Sequence, residues 1–128
     1  LLREEQSILV ERIKSELRRL INEPTLVGKF NLSTHLGNRL HYNYAYLSNY
    51  FSQSEGKTIR DYMIDLRIEQ IKRLLVQEDL DLVTISTRLN YSSTAHLAAQ
   101  FKKITGKTTS EFKREWQTAP MQQRLSHH

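Results

Sequence analysis

Cysteine is absent from the 128 residues, which excludes disulfides, thiolate metal sites and thiol catalysis together. That absence suits a reducing compartment, and the expectation is a cytoplasmic protein. Proline occurs only at Pro24 and Pro120, leaving a long proline-free stretch between them, and glycine only at Gly28, Gly37, Gly56 and Gly106. No apolar run approaches the ~20 residues of a membrane span, so no membrane partner is expected. The opening Leu1-Leu2-Arg3-Glu4-Glu5 is too charged for a secretory signal. It also lacks a methionine, and the expectation is a fragment of a longer protein. His127 and His128 are either native or the stub of a purification tag, and neither is given a function.

Strand-like alternation is missing as well, whereas apolar spacings of three and four recur throughout. The chain therefore reads as all-α, with about seven helices. The first runs from about Glu4 to Asn22, with Leu9, Val10, Ile13, Leu17, Leu20 and Ile21 as its apolar stripe, and Asn22-Glu23-Pro24 ends it. A loop through Gly28 leads to a short helix, about Leu32 to Leu40, and then a tight turn at His41-Tyr42. Asn43 caps the next helix, about Tyr44 to Ser54, which Gly56 closes. Thr58 opens a longer helix to about Gln77, apolar over more than half its circumference and so packed on two sides. Asp81 caps a helix from Leu82 to Leu89. Ser92 or Ser93 caps the next, to about Thr105, and Gly106 terminates it. Thr108 and Glu111 have the spacing of a capping box, and the helix they open places Phe112 and Trp116 on one face.

Charge is unevenly placed. Lys plus Arg is 19 and Asp plus Glu 14. From Leu82 onward there are seven bases (Arg88, Lys102, Lys103, Lys107, Lys113, Arg114, Arg124) and two acids (Glu111, Glu115), so the whole surplus of +5 lies in the last third. A basic surplus permits an anionic partner without dictating a fold.

The most informative feature is an internal near-duplication. Tyr46-Leu47-Ser48-Asn49-Tyr50-Phe51 lies 50 residues before His96-Leu97-Ala98-Ala99-Gln100-Phe101, and Gly56 lies 50 before Gly106. Upstream the offset is 49: Leu36-Gly37 with Leu40 matches Ile85-Ser86 with Leu89. Each unit is a short helix, a turn and a capped second helix, with Gly37 or Ser86 small where two helices must cross. That is the arrangement of a helix-turn-helix, whose second helix lies in the major groove of DNA. The intervening helix is ~28 Å long at ~1.5 Å per residue. That length suits two second helices entering successive major-groove segments ~34 Å apart. The competing reading is a helical protein-interaction module without direct DNA binding, which the neutral first 81 residues and the alanines between Thr94 and Ala99 favour.

Leu82 to Trp116 resembles the second half of the DNA-binding domain of AraC/XylS-type bacterial transcription regulators. The resemblance is carried by Ile85-Ser86, Leu89-Asn90-Tyr91, Ser93, His96-Leu97, Phe101-Lys102-Lys103, Gly106 and Ser110-Glu111-Phe112-Lys113. Leu32 to Gly56 resembles the first half, anchored by Tyr46-Leu47-Ser48 and Phe51, and Ile59 to Leu75 resembles the linker helix. About two-thirds of the chain is covered, from Asn31 to Trp116. Asn90 stands where the family usually has glycine, and Thr109 where proline is frequent. The organisation so implied is an N-terminal helix and loop at 1–30, a first helix-turn-helix at 31–57, a linker helix at 58–80, a second helix-turn-helix with closing helix at 81–117, and a tail at 118–128. The first of these is either a packing helix or the end of a linker.

The resemblance implies control of transcription through double-stranded DNA, admits RNA polymerase as a further partner, and puts any effector or dimerisation region outside these residues. In the first unit Leu47, Phe51 or Tyr50, and Tyr46, are expected in the core. The outward positions that match the family's base-contacting ones are Ala45, Ser48 and Asn49, flanked by Tyr44 and Ser52. Asn49 is the prime candidate for readout, because an amide pairs with adenine N6 and N7. In the second unit the matching positions are Thr94, Ala95, Ala98 and Ala99, which offer little beyond methyl groups for thymine. Asn43, Ser92, Ser93, Lys102 and Lys103 are the expected phosphate contacts. His96 is expected in the core. His35, His41 and His96 form no metal pair at i,i+4, and no phosphate-binding glycine loop or nucleophile elbow occurs. Neither an enzyme nor a metal or cofactor site is expected.

Overall fold

The computed structural model describes residues 2–23 and 31–120. The expected loop through Gly28, helix termination at Pro24, and residues 121–128 of the tail lie outside the described residues. Seven helices and no strand occur among the described residues: α1 (Leu2–Asn22), α2 (Leu32–Leu40), α3 (Tyr44–Glu55), α4 (Ile59–Val76), α5 (Leu82–Arg88), α6 (Thr94–Thr105) and α7 (Thr109–Thr118). They form two compact units that divide within α4, between Leu66 and Arg67. This division accounts for the broad apolar surface of α4. Ile59 and Met63 are buried in the first unit, and Ile68, Ile71, Leu74 and Leu75 in the second.

In the first unit α1 packs on α2 and α3. Its stripe of Leu9, Val10, Ile13, Leu17, Leu20 and Ile21 is buried, and full burial of one such side chain contributes about 1.5–3 kcal/mol. One acid interrupts the stripe. Glu16 is buried, and its carboxylate accepts hydrogen bonds from Arg19 and meets His35 Nε2 of α2 at 2.8 Å and Arg39 at 3.6 Å. Three partners on two helices, Arg19, His35 and Arg39, thus compensate the desolvation of this charge.

Local chemistry sets the ends of the helices. Asn31 caps α2 through Thr34 N–H, and Asn43 caps α3 by accepting from Ala45 N–H at 2.8 Å. Gly56 ends α3 in the left-handed conformation, φ 72°. In the turn between α2 and α3, His41 takes φ 61° and Tyr42 N–H donates to Gly37 O. A Cβ on Gly37 would stand 3.1 Å from the Tyr42 carbonyl oxygen, so a side chain there would press directly on the turn.

The second unit repeats this construction. Asp81 caps α5 through Thr84 N–H, a bond that also holds its carboxyl below the ordinary range. Ile85, Ser86 and Leu89 are buried, Asn90 takes φ 61°, and Tyr91 N–H donates to Ser86 O at 2.9 Å. Asn90 thus holds the left-handed turn that its tolerance of that region permits. Ser93 caps α6 by accepting from His96 N–H, which makes Ser92 the extra residue of the longer turn. Thr108 and Glu111 form the reciprocal capping box of α7. Phe112 is buried edge-on against Phe101 at 5.8 Å, while Trp116 is half-buried.

Candidate nucleic-acid interface

Helix α3 presents three faces. Leu47 and Phe51, four apart, are fully buried. The outward face carries exposed Ala45 and Asn49 with half-buried Tyr44, Ser48 and Ser52. All five expected base-facing residues of this unit therefore fall on one accessible surface. Asn43 at its N-terminal end is exposed, with its side-chain oxygen engaged in the cap.

The third face corrects an expectation. Tyr46 is not in the core but 45% exposed, stacked on Tyr42 (ring centroids 5.5 Å, interplanar angle 8°) and tilted against Tyr50 at 4.9 Å. Leu47 and Phe51 already supply the buried stripe, and Tyr46 lies ~100° around the helix from Leu47. Its ring is covered by other rings at the edge of the unit instead. Desolvation raises its phenol pKa, and Tyr50, Tyr42 and Glu5 add to the effect.

Helix α6 repeats the arrangement with different side chains. Leu97 and Phe101 are fully buried; Ala95 and Ala99 are exposed, and Thr94 and Ala98 half-buried. His96 is also corrected. It is exposed rather than core, edge-on to Tyr91 at 5.2 Å, with Nδ1 3.2 Å from Ser92 Oγ. Like Tyr46, it sits one position before the buried leucine. Tyr91 itself is buried, donates its hydroxyl to Gln100 Oε1 at 2.5 Å, and carries the Arg67 guanidinium carbon 5.6 Å above its ring. Burial raises the Tyr91 phenol, opposed by the charge of Arg67.

Sequence reasoning passed over Arg67. The available signal was a base at i+4 from Met63 and i−4 from Ile71, inside an apolar stripe. Glu16 carried the same kind of signal, an acid three residues after Ile13 and four before Leu20.

The positive charge can now be assigned to residues. The first unit holds nine bases and eight acids, and the second ten bases and six acids. Within the second, Lys107 pairs with Glu115, Lys113 with Asp79, and Arg88 with Glu78 at 3.7 Å. Lys102 and Lys103, in the last turn of α6, and Arg114 are exposed and outside any ion pair among the described residues. Arg124 lies outside the described residues.

Among the described residues no cluster of His, Asp and Glu could hold a metal ion, and no helix is long and apolar enough to cross a membrane. Two capped helix–turn–helix units, each with an accessible outward face on its second helix, define the class of double helix-turn-helix proteins. Residues 36–115 match the family described as Helix-turn-helix domain, and the chain belongs to this AraC-type helix-turn-helix family. It is 35% identical over 66 residues to the HTH-type transcriptional regulator YobQ of Bacillus subtilis, a match covering 52% of this chain and 27% of that relative's length. Its fold is similar to that of an AraC-type transcriptional regulator from Chromobacterium violaceum (TM-score 0.73, 17% identity, 88% of this chain and 95% of that one). It is also similar to the DNA-binding domain of AdpA, solved with a target DNA (TM-score 0.70, 18% identity, 84% and 91%).

Proposed function

We propose that this chain is the sequence-specific, double-stranded DNA-binding domain of a bacterial AraC-type transcription regulator, with α3 and α6 as its two recognition helices. The observation that carries this reading is the outward face of α3. An exposed asparagine amide stands there between small side chains, Ala45 and Ser48, on a helix anchored from behind by Leu47 and Phe51. A helix so built can approach base edges without a bulky side chain holding it off.

In this reading the two units divide the work. Asn49 reads adenine, with Tyr44, Ala45, Ser48 and Ser52 lining the contact. Thr94, Ala95 and Ala99 offer methyl groups to thymine, and the second unit grips the backbone through Ser92, Ser93, Lys102 and Lys103. Asn43 contributes the amide hydrogens that its cap leaves over. Residues 31–57 and 81–117 act as the two reading subdomains joined by 58–80. The protein works in the bacterial cytoplasm, RNA polymerase is a second candidate partner, and effector or dimerisation regions belong to a longer chain.

Fluorescence anisotropy with a random-sequence duplex at two salt concentrations tests the reading. Binding should weaken steeply as salt rises, because neutralised phosphates release counterions. Absent or salt-insensitive binding would overturn it and favour the helical protein-interaction module instead.

A further inference from the structure

The two units differ at one set of equivalent positions. Tyr42 corresponds to Tyr91 at the offset of 49, and Tyr46 and Tyr50 correspond to His96 and Gln100 at the offset of 50. In the second unit this cluster is closed. Tyr91 is buried, its hydroxyl is bonded to Gln100, His96 meets its edge, and Arg67 covers its face. In the first unit the cluster is open. Tyr42 and Tyr46 stack on one another and remain 43% and 45% exposed. Among the described residues no cation lies over either ring; Lys14 sits over Tyr62 instead.

Among the described side chains, those around the open cluster are acidic or neutral. Glu4 and Glu5, in the first turn of α1, are exposed. Gln6, next in sequence, donates to the Tyr50 hydroxyl. The carboxylate of Glu5 lies near enough to Tyr46 to oppose its ionisation. Stacked phenol faces carry negative quadrupole potential, and carboxylates beside them repel phosphate. The surface therefore suits a cation and disfavours the DNA backbone. Tyr46 and Tyr50 also stand ~130° and ~170° around α3 from the centre of its outward face, so their surface stays accessible when that face is engaged.

We propose that the Tyr42–Tyr46 face of the first unit, flanked by Glu5, is a docking site for an arginine-bearing basic segment of a partner protein. A guanidinium stacks on the phenol face where Arg67 covers Tyr91 in the second unit, and a neighbouring base pairs with Glu5. Arginine rather than lysine is specified because its plane stacks on a ring while its edge still donates hydrogen bonds.

The test uses the intact chain, observed by NMR at its tyrosine rings, with a hexa-arginine peptide as probe and a hexa-citrulline peptide as its uncharged counterpart. Hexa-arginine should move the Tyr42 and Tyr46 ring resonances, and hexa-citrulline should not. Tyr46→Ala should weaken hexa-arginine binding about threefold or more, Tyr46→Phe should retain it, and Tyr46→Ala should leave duplex binding unchanged. Glu5→Gln, on an exposed turn, should also weaken peptide binding and carries the test if Tyr46→Ala does not fold. Unmoved ring resonances, equal binding of the two peptides, or undiminished affinity in the folded variants overturns the proposal. A loss of duplex affinity in Tyr46→Ala matching that of Asn49→Ala overturns it too, by making this face a DNA contact.

Discussion

His41 and Asn90, 49 residues apart in the sequence, take the same left-handed backbone conformation, each with φ 61°. Each is followed by a tyrosine whose N–H donates to the carbonyl five residues earlier, Gly37 for Tyr42 and Ser86 for Tyr91. The chain thus turns between the helices of both units by one backbone device, at positions where Cβ sterics cost about 1–2 kcal/mol. Asparagine, whose short polar side chain can hydrogen-bond locally, visits this region more routinely than histidine does, so the first turn carries the greater strain.

Replacing that histidine should therefore stabilise the protein. His41→Gly removes the Cβ clash but gives the unfolded chain more freedom, leaving a net gain of roughly 0.5–1 kcal/mol. Asn90→Gly should gain less. Urea denaturation reads both as a higher midpoint with unchanged slope. A midpoint for His41→Gly at or below that of the parent would show the turn to be unstrained.

Glu16 makes stability depend on acidity. Hydrogen bonds from Arg19 lead the causes that hold its carboxyl at about 2 against an ordinary 4.5, with His35 and the charges of Arg19 and Arg39 adding to them. The folded-state pKa is the depressed one, so the stabilisation is complete above 4.5 and is lost as pH falls toward about 2. Glu16→Gln should cost on the order of 2 kcal/mol at neutral pH and flatten the acid limb of the stability curve. Thermal melts across that pH range decide it. Parallel acid limbs in parent and variant would remove Glu16 from the explanation.

The helix boundaries were legible in the sequence because their determinants are local. Asn43, Ser93 and Thr108 act on amides two or three residues away, and Gly56 and Gly106 on their own φ. The fates of Tyr46 and His96 were not legible. Each lies one position before a buried leucine, where periodicity cannot distinguish the edge of the core from its interior. Glu16 and Arg67 were hidden for a related reason. A charge inside an apolar stripe is explained only by partners remote in sequence, His35 for one and Tyr91 for the other. The outward faces of α3 and α6 emerged from the resemblance to AraC/XylS-type domains, whose base-contacting positions carry over residue by residue without knowledge of packing.

Asn49→Ala tests the assignment of reading to the first unit. The substitution touches an exposed side chain, so stability should stay within ~0.5 kcal/mol of the parent. Site selection from random duplex should show one base position relaxed by ~1–3 kcal/mol, with an adenine preference lost. An unchanged preference at every position would transfer direct readout to another residue.

Lys102→Ala should behave in the opposite manner. Lys102 is exposed, outside any ion pair among the described residues, and in the last turn of α6, whose outward face is almost without hydrogen-bonding groups. In the proposed division of work, its loss removes charge from the grip but no information from the reading. Affinity should fall by a similar factor for every duplex, and the slope of log affinity against log salt should become shallower by about one. Anisotropy titrations of parent and variant on a selected and a scrambled duplex measure both quantities. A loss confined to the selected duplex would mean that α6 reads sequence through this lysine and that the two units share the reading.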